Sequence, residues 1–417
     1  MSSQKLKKRN NRLVLIPLLI ILSFTIGYYV KAQTELSFST IIENGSMVET
    51  ASYIIFKDGS TYYARNGTTG SIDYSGIIAS TLIKNVISNC SNGDKIYFKK
   101  GTYVLTDPDS DNVAINITKP LILEFEGGVT FSVSSNIWAI VVYKCPVVIT
   151  GFPTITGTST LDAFYMRGGY ASGSVISRSW VELRIRGTWR YGMLITGYTY
   201  NAVFLPDIYG TFDNGIRMDQ EAGWSEPYPN ANTFLQAFVN NNKPTGKCCI
   251  NIADSHIAGN TFISPNVGYG CDYGFIIAGT DNAIYNGWIE GVTTGITFSG
   301  SSARNRVWGG VITGVTTVIV DSGSNNRIVE CEPYKNTNRG TVSVDNGDLI
   351  PHLLSHTPNL VLVTCKTPYY GSPPMPVIVT VTSYDATNFQ VNVYWTNGTV
   401  ISSGTPISID WYAEYKP

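Results

Sequence analysis

Two aspartates in matching positions are the clearest hint of chemistry in this chain. Asp213 and Asp272 each stand two residues ahead of a glycine that opens an apolar-x-apolar run, Gly215-Ile216-Arg217-Met218 and Gly274-Phe275-Ile276-Ile277. Inverting hydrolysis of a glycosidic bond needs one protonated and one ionised carboxyl, ~6.5–9.5 Å apart. Asp207, Asp219 and Glu221 follow the first of the pair closely, and Asp219 is the third catalytic candidate. Asp213, Asp219 and Arg217 could instead serve a calcium-dependent lyase, which wants clustered acids beside a cationic base. The competing reading is structural, because aspartate beside glycine caps backbone groups in turns.

Other reactive residue types point less sharply. Asp107, Asp109 and Asp111 alternate like part of a calcium loop, but no glycine or glutamate completes an EF-hand pattern. They read as a solvated acidic loop, and no metal or cofactor is expected. His352 and His356 are four apart but lie beside Pro351 and Pro358, which argues against a helical ligand pair; His256 stands alone. The seven cysteines include no Cys-x-x-Cys, so a zinc site is not expected. Cys331 could pair with Cys365, whereas Cys248, Cys249 and Cys271 read equally well as small buried fillers.

Aromatic residues gather at Trp180, Trp189, Tyr191, Tyr198, Tyr200, Tyr209, Trp224 and Tyr228. Such rings offer apolar faces and polar edges to sugars. Trp189, Tyr191, Trp224 and Tyr228 are therefore the candidate glycan-binding residues, the last two because 221–232 is polar and loop-like. Cross-strand packing explains the same residues without a ligand.

The elements that would position these groups declare themselves by repetition. Asp281-Asn282-Ala283-Ile284, Arg304-Asn305-Arg306-Val307 and Asn325-Asn326-Arg327-Ile328 open successive units, and Asn260, Asn282, Asn305 and Asn326 are spaced by 22, 23 and 21 residues. Short β-branched runs between Gly, Asn and Ser turns at this period indicate a solenoid adding one coil per repeat. A second marker is the glycine at the start of a strand, at Gly192, Gly215, Gly274 and Gly295, read as the sharp bend of each coil. Cys249-Ile250-Asn251-Ile252 keeps that pattern without the glycine. The stretches 221–232 and 240–247 read as loop excursions, which in solenoids build binding faces. Residues 77–89 show a helical period and would cap the first coil.

The opening segment, Lys57-Asp58-Gly59, the helix at 77–89 and Gly101-Thr102-Tyr103, resembles the start of the pectate-lyase superfamily of right-handed parallel β-helices. The resemblance covers about 53–335 and implies that fold. Polygalacturonases of the superfamily carry Asn-Thr-Asp, Asp-Asp, Gly-His-Gly and Arg-Ile-Lys; this chain has no Asp-Asp and no Gly-His-Gly, and Arg184-Ile185-Arg186 precedes the candidate aspartates. Beyond Ile350 the pattern turns to strict alternation, as in Phe389, Val391, Val393 and Trp395, with turns at Asn397-Gly398 and Ser403-Gly404. That is an antiparallel β-sandwich. The run His356-Thr357-Pro358-Asn359-Leu360-Val361, with Ile409-Asp410-Trp411-Tyr412-Ala413, resembles the terminal knobs of phage and viral tail fibres, which implies a homo-oligomer through 351–417.

Charge sets the remaining bounds. Lys5, Lys7, Lys8, Arg9, Arg12 and Lys31 precede any acid; 29 basic residues less these six leaves 23 against 30 acidic, a formal −7 for residues 33–417. An acidic body is a poor partner for nucleic acid. Residues 13–30 are uncharged and follow a basic flank, so 1–32 reads as a signal anchor entering the membrane or as a cleaved signal peptide. Either places 33–417 outside the cytoplasm, anchored with an extracellular ectodomain, secreted, or on a virion surface. Sequons at Asn44, Asn66, Asn89, Asn116 and Asn397 are compatible with glycosylation there.

The expectation is an all-β chain: a signal or transmembrane segment (1–32), a spacer (33–52), a right-handed parallel β-helix with an N-terminal capping helix (53–350) and a C-terminal antiparallel β-sandwich (351–417). The expected role is a surface glycan-binding adhesin or spike without catalysis. A polysaccharide hydrolase or lyase and a structural surface filament are the alternatives.

Overall fold

A computed structural model describes residues 42–43, 46–47, 51–107, 109–170, 174–221, 227–243, 245–335, 337–366, 369–370, 375–401 and 406–415. They fall in two compact units. In the first, Ile42–Glu43 and Ser46–Met47 pair as a short antiparallel ribbon. The expected membrane or signal segment lies outside the described residues. Among those described, no helix is long and apolar enough to cross a membrane.

In the second unit the backbone winds through three strands per coil, each stacked in parallel on its counterpart one coil away. The stacks form three faces. Face A begins with Lys95–Phe98, Leu121–Phe125 and Val147–Thr150; face B with Gly101–Leu105, Val129–Val133 and Thr154–Thr158. Face C runs through Val113–Ile117, Trp138–Tyr143, Phe164–Arg167, the last parts of Trp180–Thr196 and Val203–Asp219, then Cys248–Ile252, Tyr273–Ile277, Thr294–Phe298 and Thr317–Asp321. Trp180–Thr196 and Val203–Asp219 are 17 residues each and pass through all three faces without losing the ladder. This is a parallel β-helix, and strand twist favours right-handed crossovers between its parallel strands.

Inward side chains alternate with outward ones along each strand. The interior is stacked by type: Phe98 lies on Phe125 at 4.6 Å, and Phe204, Phe234 and Phe262 follow at 4.9 and 4.5 Å. The repeated asparagines form a vertical file. The backbone N–H of Asn232 donates to the Oδ1 of Asn260 at 3.0 Å, Asn260 to Asn282 at 3.0 Å, Asn282 to Asn305 at 2.9 Å and Asn305 to Asn326 at 3.0 Å. Each residue ahead of the file turns the chain through positive φ: Ala231, Gly259, Asp281, Arg304 and Asn325. The bend strips backbone groups of strand partners, and the buried amide supplies them.

The glycine marker has a different cause from the one its sequence suggests. Gly192, Gly215, Gly274 and Gly295 are not among the positive-φ residues. They stand where the chain passes closest to an inward isoleucine or valine of face B and to the next coil's carbonyl. A Cβ on Gly274 would lie 2.6 Å from the Gly295 oxygen and 2.7 Å from Ile289 Cγ2. Cys249 occupies the same file, between Gly215 and Gly274 in register. Its thiol, 2.9 Å from that of Cys271, is buried, as is Cys248.

Helix α1 (Ala79–Asn89) buries Ala79, Leu82, Ile83, Val86 and Ile87 against the first windings, while Ile77 and Ile78 stay exposed outside it. Ahead of α1, Tyr53–Asp58, Thr61–Asn66 and Ile72–Gly76 form an antiparallel meander. At the other end two antiparallel sheets enclose Val377, Phe389, Val391, Val393, Ile407, Ile409, Trp411 and Ala413. The sandwich takes its first strand, Thr337–Val344, from ahead of residue 351 and pairs it with Ile407–Glu414. Ser403-Gly404 lies outside the described residues. The His356 ring sits between Tyr334 of the solenoid core, at 5.4 Å, and Tyr415 of the sandwich, at 4.8 Å. Cys331 packs in the solenoid core and Cys365 against the sandwich core.

Candidate functional site

The outer surface of face C collects the groups best suited to hold a ligand. Because Ile115, Ile117, Ile250, Ile252, Ile296 and Phe298 point inward, the residues between them point out. Register aligns Asn116, Val141, Tyr165, Leu194, Arg217, Asn251, Ile276, Thr297 and Val320 in one outward file. Beside it run Tyr143, Arg167, Thr196 and Asp219. Among the described residues, three polar atoms of the first file are shielded yet have no hydrogen-bond partner: Asn116 Oδ1, Asn251 Oδ1 and Thr297 Oγ1. A buried, unsatisfied acceptor is costly, and a ligand hydroxyl would relieve it.

At the α1 end this surface deepens into a groove of about 350 Å³, walled by Asn116, Trp138, Tyr143, Tyr165 and Arg167. The Trp138 and Tyr165 rings are 6.4 Å apart. Their orientation is built from beneath. Asp162, fully buried, accepts Trp138 Nε1 at 3.0 Å and holds Arg190 at 2.6 Å. Glu221, also buried, accepts the Tyr165 hydroxyl at 2.8 Å, the Thr196 hydroxyl at 2.6 Å and Arg167 at 2.7 Å. Burial pushes the Tyr165 phenol up and its Glu221 neighbour adds to the rise, so it stays protonated and donates. Lys144 lies 4.5 Å from the Tyr143 ring and the Arg167 guanidinium 5.3 Å. The groove thus offers ring faces, a cation and amide acceptors, the complement of a sugar.

The sequence candidates are distributed differently. Asp213, Lys247 and Asp272 stand in one file on adjacent coils, by the register of Asn214, Cys248 and Tyr273. Two coil spacings of ~4.8 Å separate the carboxylates. Asp213 is held by Lys243 at 2.6 Å and Lys247 at 3.0 Å. Burial alone would push its carboxyl up, but the hydrogen bonds and charges of the two lysines outweigh that and hold it below the ordinary range. Asp272 accepts the backbone N–H of Gly246 and, at 3.3 Å, the Thr293 hydroxyl, as a turn-capping aspartate does. Asp219 is tied to Arg217 at 2.6 Å.

Of the aromatic candidates, Trp189 is 2% exposed and points into the core, donating to the Arg186 carbonyl at 2.9 Å. Tyr228 is 8% exposed and stacked on His256 at 4.7 Å. Neither presents a free ring face: the strand alternation and the returning loop turn both rings inward. Tyr191 lies on face C between the Arg190 and Arg217 guanidinium groups, at 4.8 and 5.3 Å. Trp224 lies outside the described residues. Trp138, Tyr143, Tyr165 and Arg167 escaped the sequence reading, since Trp138-Ala139-Ile140-Val141-Val142 is continuously apolar and does not reveal its outward side.

The remaining candidates are occupied locally. Lys84 bridges Asp109 and Asp111 at 2.7 and 3.3 Å, and Asp107 accepts the N–H groups of Asp111 and Asn112. His352 is buried; its Nδ1 accepts the Leu354 N–H at 3.0 Å, so Nε2 donates to the Asp385 carbonyl. Asn89 and Asn397 are exposed, Asn66 donates to Asp73 at 2.8 Å, and Asn116 lines the groove; Asn44 is outside the described residues.

No family model matches the chain, and no curated protein does. Solved structures similar to it include the tailspike protein gp49 from Pseudomonas phage LKA1, 12% identical, TM-score 0.40, covering 78% of this chain and 66% of that one. PfbA, a surface adhesin of Streptococcus pneumoniae, is 10% identical, TM-score 0.38, over 61% of this chain and 75% of that one. The gp54 tailspike of Acinetobacter baumannii bacteriophage AP22, solved with A. baumannii capsular saccharide, is 12% identical, TM-score 0.39, over 78% and 69%. Such values transfer no residue's role to this chain.

Proposed function

We propose that this chain is an exported, surface-displayed β-helix that binds glycan along the outer side of face C and does not cleave it. The observation that carries this reading is the groove of Trp138, Tyr143, Tyr165 and Arg167, continued by a file of unsatisfied amide and hydroxyl acceptors. Its floor is braced by buried Asp162 and Glu221, whose oxygens are taken by protein donors and are not free to react. A virion or cell surface, and a homo-oligomer through the sandwich, fit this reading.

The alternative, a polysaccharide hydrolase or lyase using Asp213, Asp272 and Asp219, draws support from the common file of the first two. An inverting enzyme needs one carboxyl kept protonated; Asp213, depressed by two lysines, does not serve as that acid. The two readings separate in one experiment on residues 33–417 with polygalacturonate, alginate and hyaluronan. Binding is followed by calorimetry, cleavage by reducing ends and by the ultraviolet absorbance of an unsaturated uronate. The binding reading predicts no product, a loss of about tenfold in affinity for Trp138→Ala, and no change for Asp213→Asn or Asp272→Asn. Product release abolished by either aspartate substitution would establish the enzyme instead.

A further inference from the structure

The last windings carry a second cavity, on face A, of about 650 Å³. Its wall comes from three strands, Ala283–Glu290, Arg306–Thr313 and Arg327–Val329, stacked in parallel. We propose that it binds the carboxylate of an acidic sugar within a uronate-bearing polysaccharide, independently of the face C groove. The geometry begins with Arg306 and Arg327, which are paired in register. That sets two like charges one strand spacing apart, ~4.8 Å between backbones. Both are exposed, and neither makes an ion pair or a side-chain hydrogen bond among the described residues.

The nearby acid cannot neutralise them. Asp281 spends both oxygens on Arg304, at 2.9 and 2.6 Å, and acts on Arg306 only through space. The wall therefore sets three guanidinium groups against one carboxylate, on a body whose formal charge is otherwise negative. Adjacent like charges without an ion-pair partner among the described residues disfavour the fold by repulsion, and an arriving anion relieves it. Guanidinium groups receive a planar carboxylate through two parallel hydrogen bonds.

The second feature fixes the anion on a sugar. Arg306 and Trp308 alternate along one strand and so project to the same side. Trp308 is 46% exposed and stands in register with Tyr285 on the neighbouring strand. A pyranose lying on Trp308 would hold its carboxylate toward the arginine pair, combining ring stacking with charge-assisted hydrogen bonds.

The test uses calorimetry on the full chain at low salt, in the wild type and in a Trp138→Ala background. The probes are oligogalacturonate, its fully methyl-esterified form and inorganic phosphate. Arg306→Gln and Arg327→Gln should each weaken oligogalacturonate binding by about tenfold in both backgrounds. The esterified form should bind the wild type as weakly as the acidic form binds the variants, and phosphate should not compete. Trp138→Ala should weaken only the face C binding step and leave the arginine-dependent step unchanged, so that the face C reading can fail without this one. Absence of oligogalacturonate binding, equal affinity for the ester, saturation by phosphate, or indifference to both arginine substitutions would each overturn the proposal.

Discussion

At the scale of single residues, the asparagine file does most to keep the later coils in step. Asn305 accepts from the Asn282 backbone at 2.9 Å and side chain at 3.2 Å, and donates to the Gly279 carbonyl at 2.9 Å and to Asn326 at 3.0 Å. Asn305→Ala leaves several of these groups buried and unpaired, at ~1–3 kcal/mol each. A drop of about 3 kcal/mol in urea unfolding is expected; a change below ~0.5 kcal/mol, typical of a surface site, would contradict the role. The file was legible from Asn260, Asn282, Asn305 and Asn326 because their spacing is nearly constant. Asn232 was not, since 28 residues separate it from Asn260. Asp213 gives a prediction in pH. Its folded-state pKa is depressed, so its lysine contacts stabilise the fold above the unfolded carboxylate value of about 3.9 and cease to do so as pH falls through the folded value. The urea midpoints of wild type and Asp213→Asn should differ at neutral pH and converge in acid. A gap that persists in acid would mean that the pair is not what Asp213 contributes.

At the scale of elements, each coil is a strand triplet whose corners are fixed by close approach. Gly274→Ala would drive a Cβ into the Gly295 carbonyl and Ile289, which costs ~1–3 kcal/mol of overpacking. Gly127, with nothing within 4 Å of its would-be Cβ, is the control and should tolerate alanine. Equal melting temperatures for the two variants would refute the close-approach account. The sequence revealed that a glycine was needed at Gly274 and suggested the wrong reason, because a turn and a tight interior contact leave the same letter. The two-residue period of the sandwich was plain in Phe389, Val391 and Val393. Thr337–Val344 was harder to see: most of its outward positions are polar and only Val344 is fully buried.

At the scale of the whole molecule, the later coils announced the solenoid, while the coils that carry the groove did not. From Val113 to Thr196 the turns differ in length and no residue recurs at fixed spacing, so the outward side of Trp138–Tyr143 emerged only from register. Binding along a stacked face has one direct consequence, a footprint that follows the stack. Hydrogen exchange of residues 33–417, with and without the tightest of the three polysaccharides, should show added protection in Trp138–Tyr143, Phe164–Arg167 and the face C part of Trp180–Thr196. Protection confined to the sandwich strands, or to the coils around Asp213 and Asp272, would contradict a glycan site on face C.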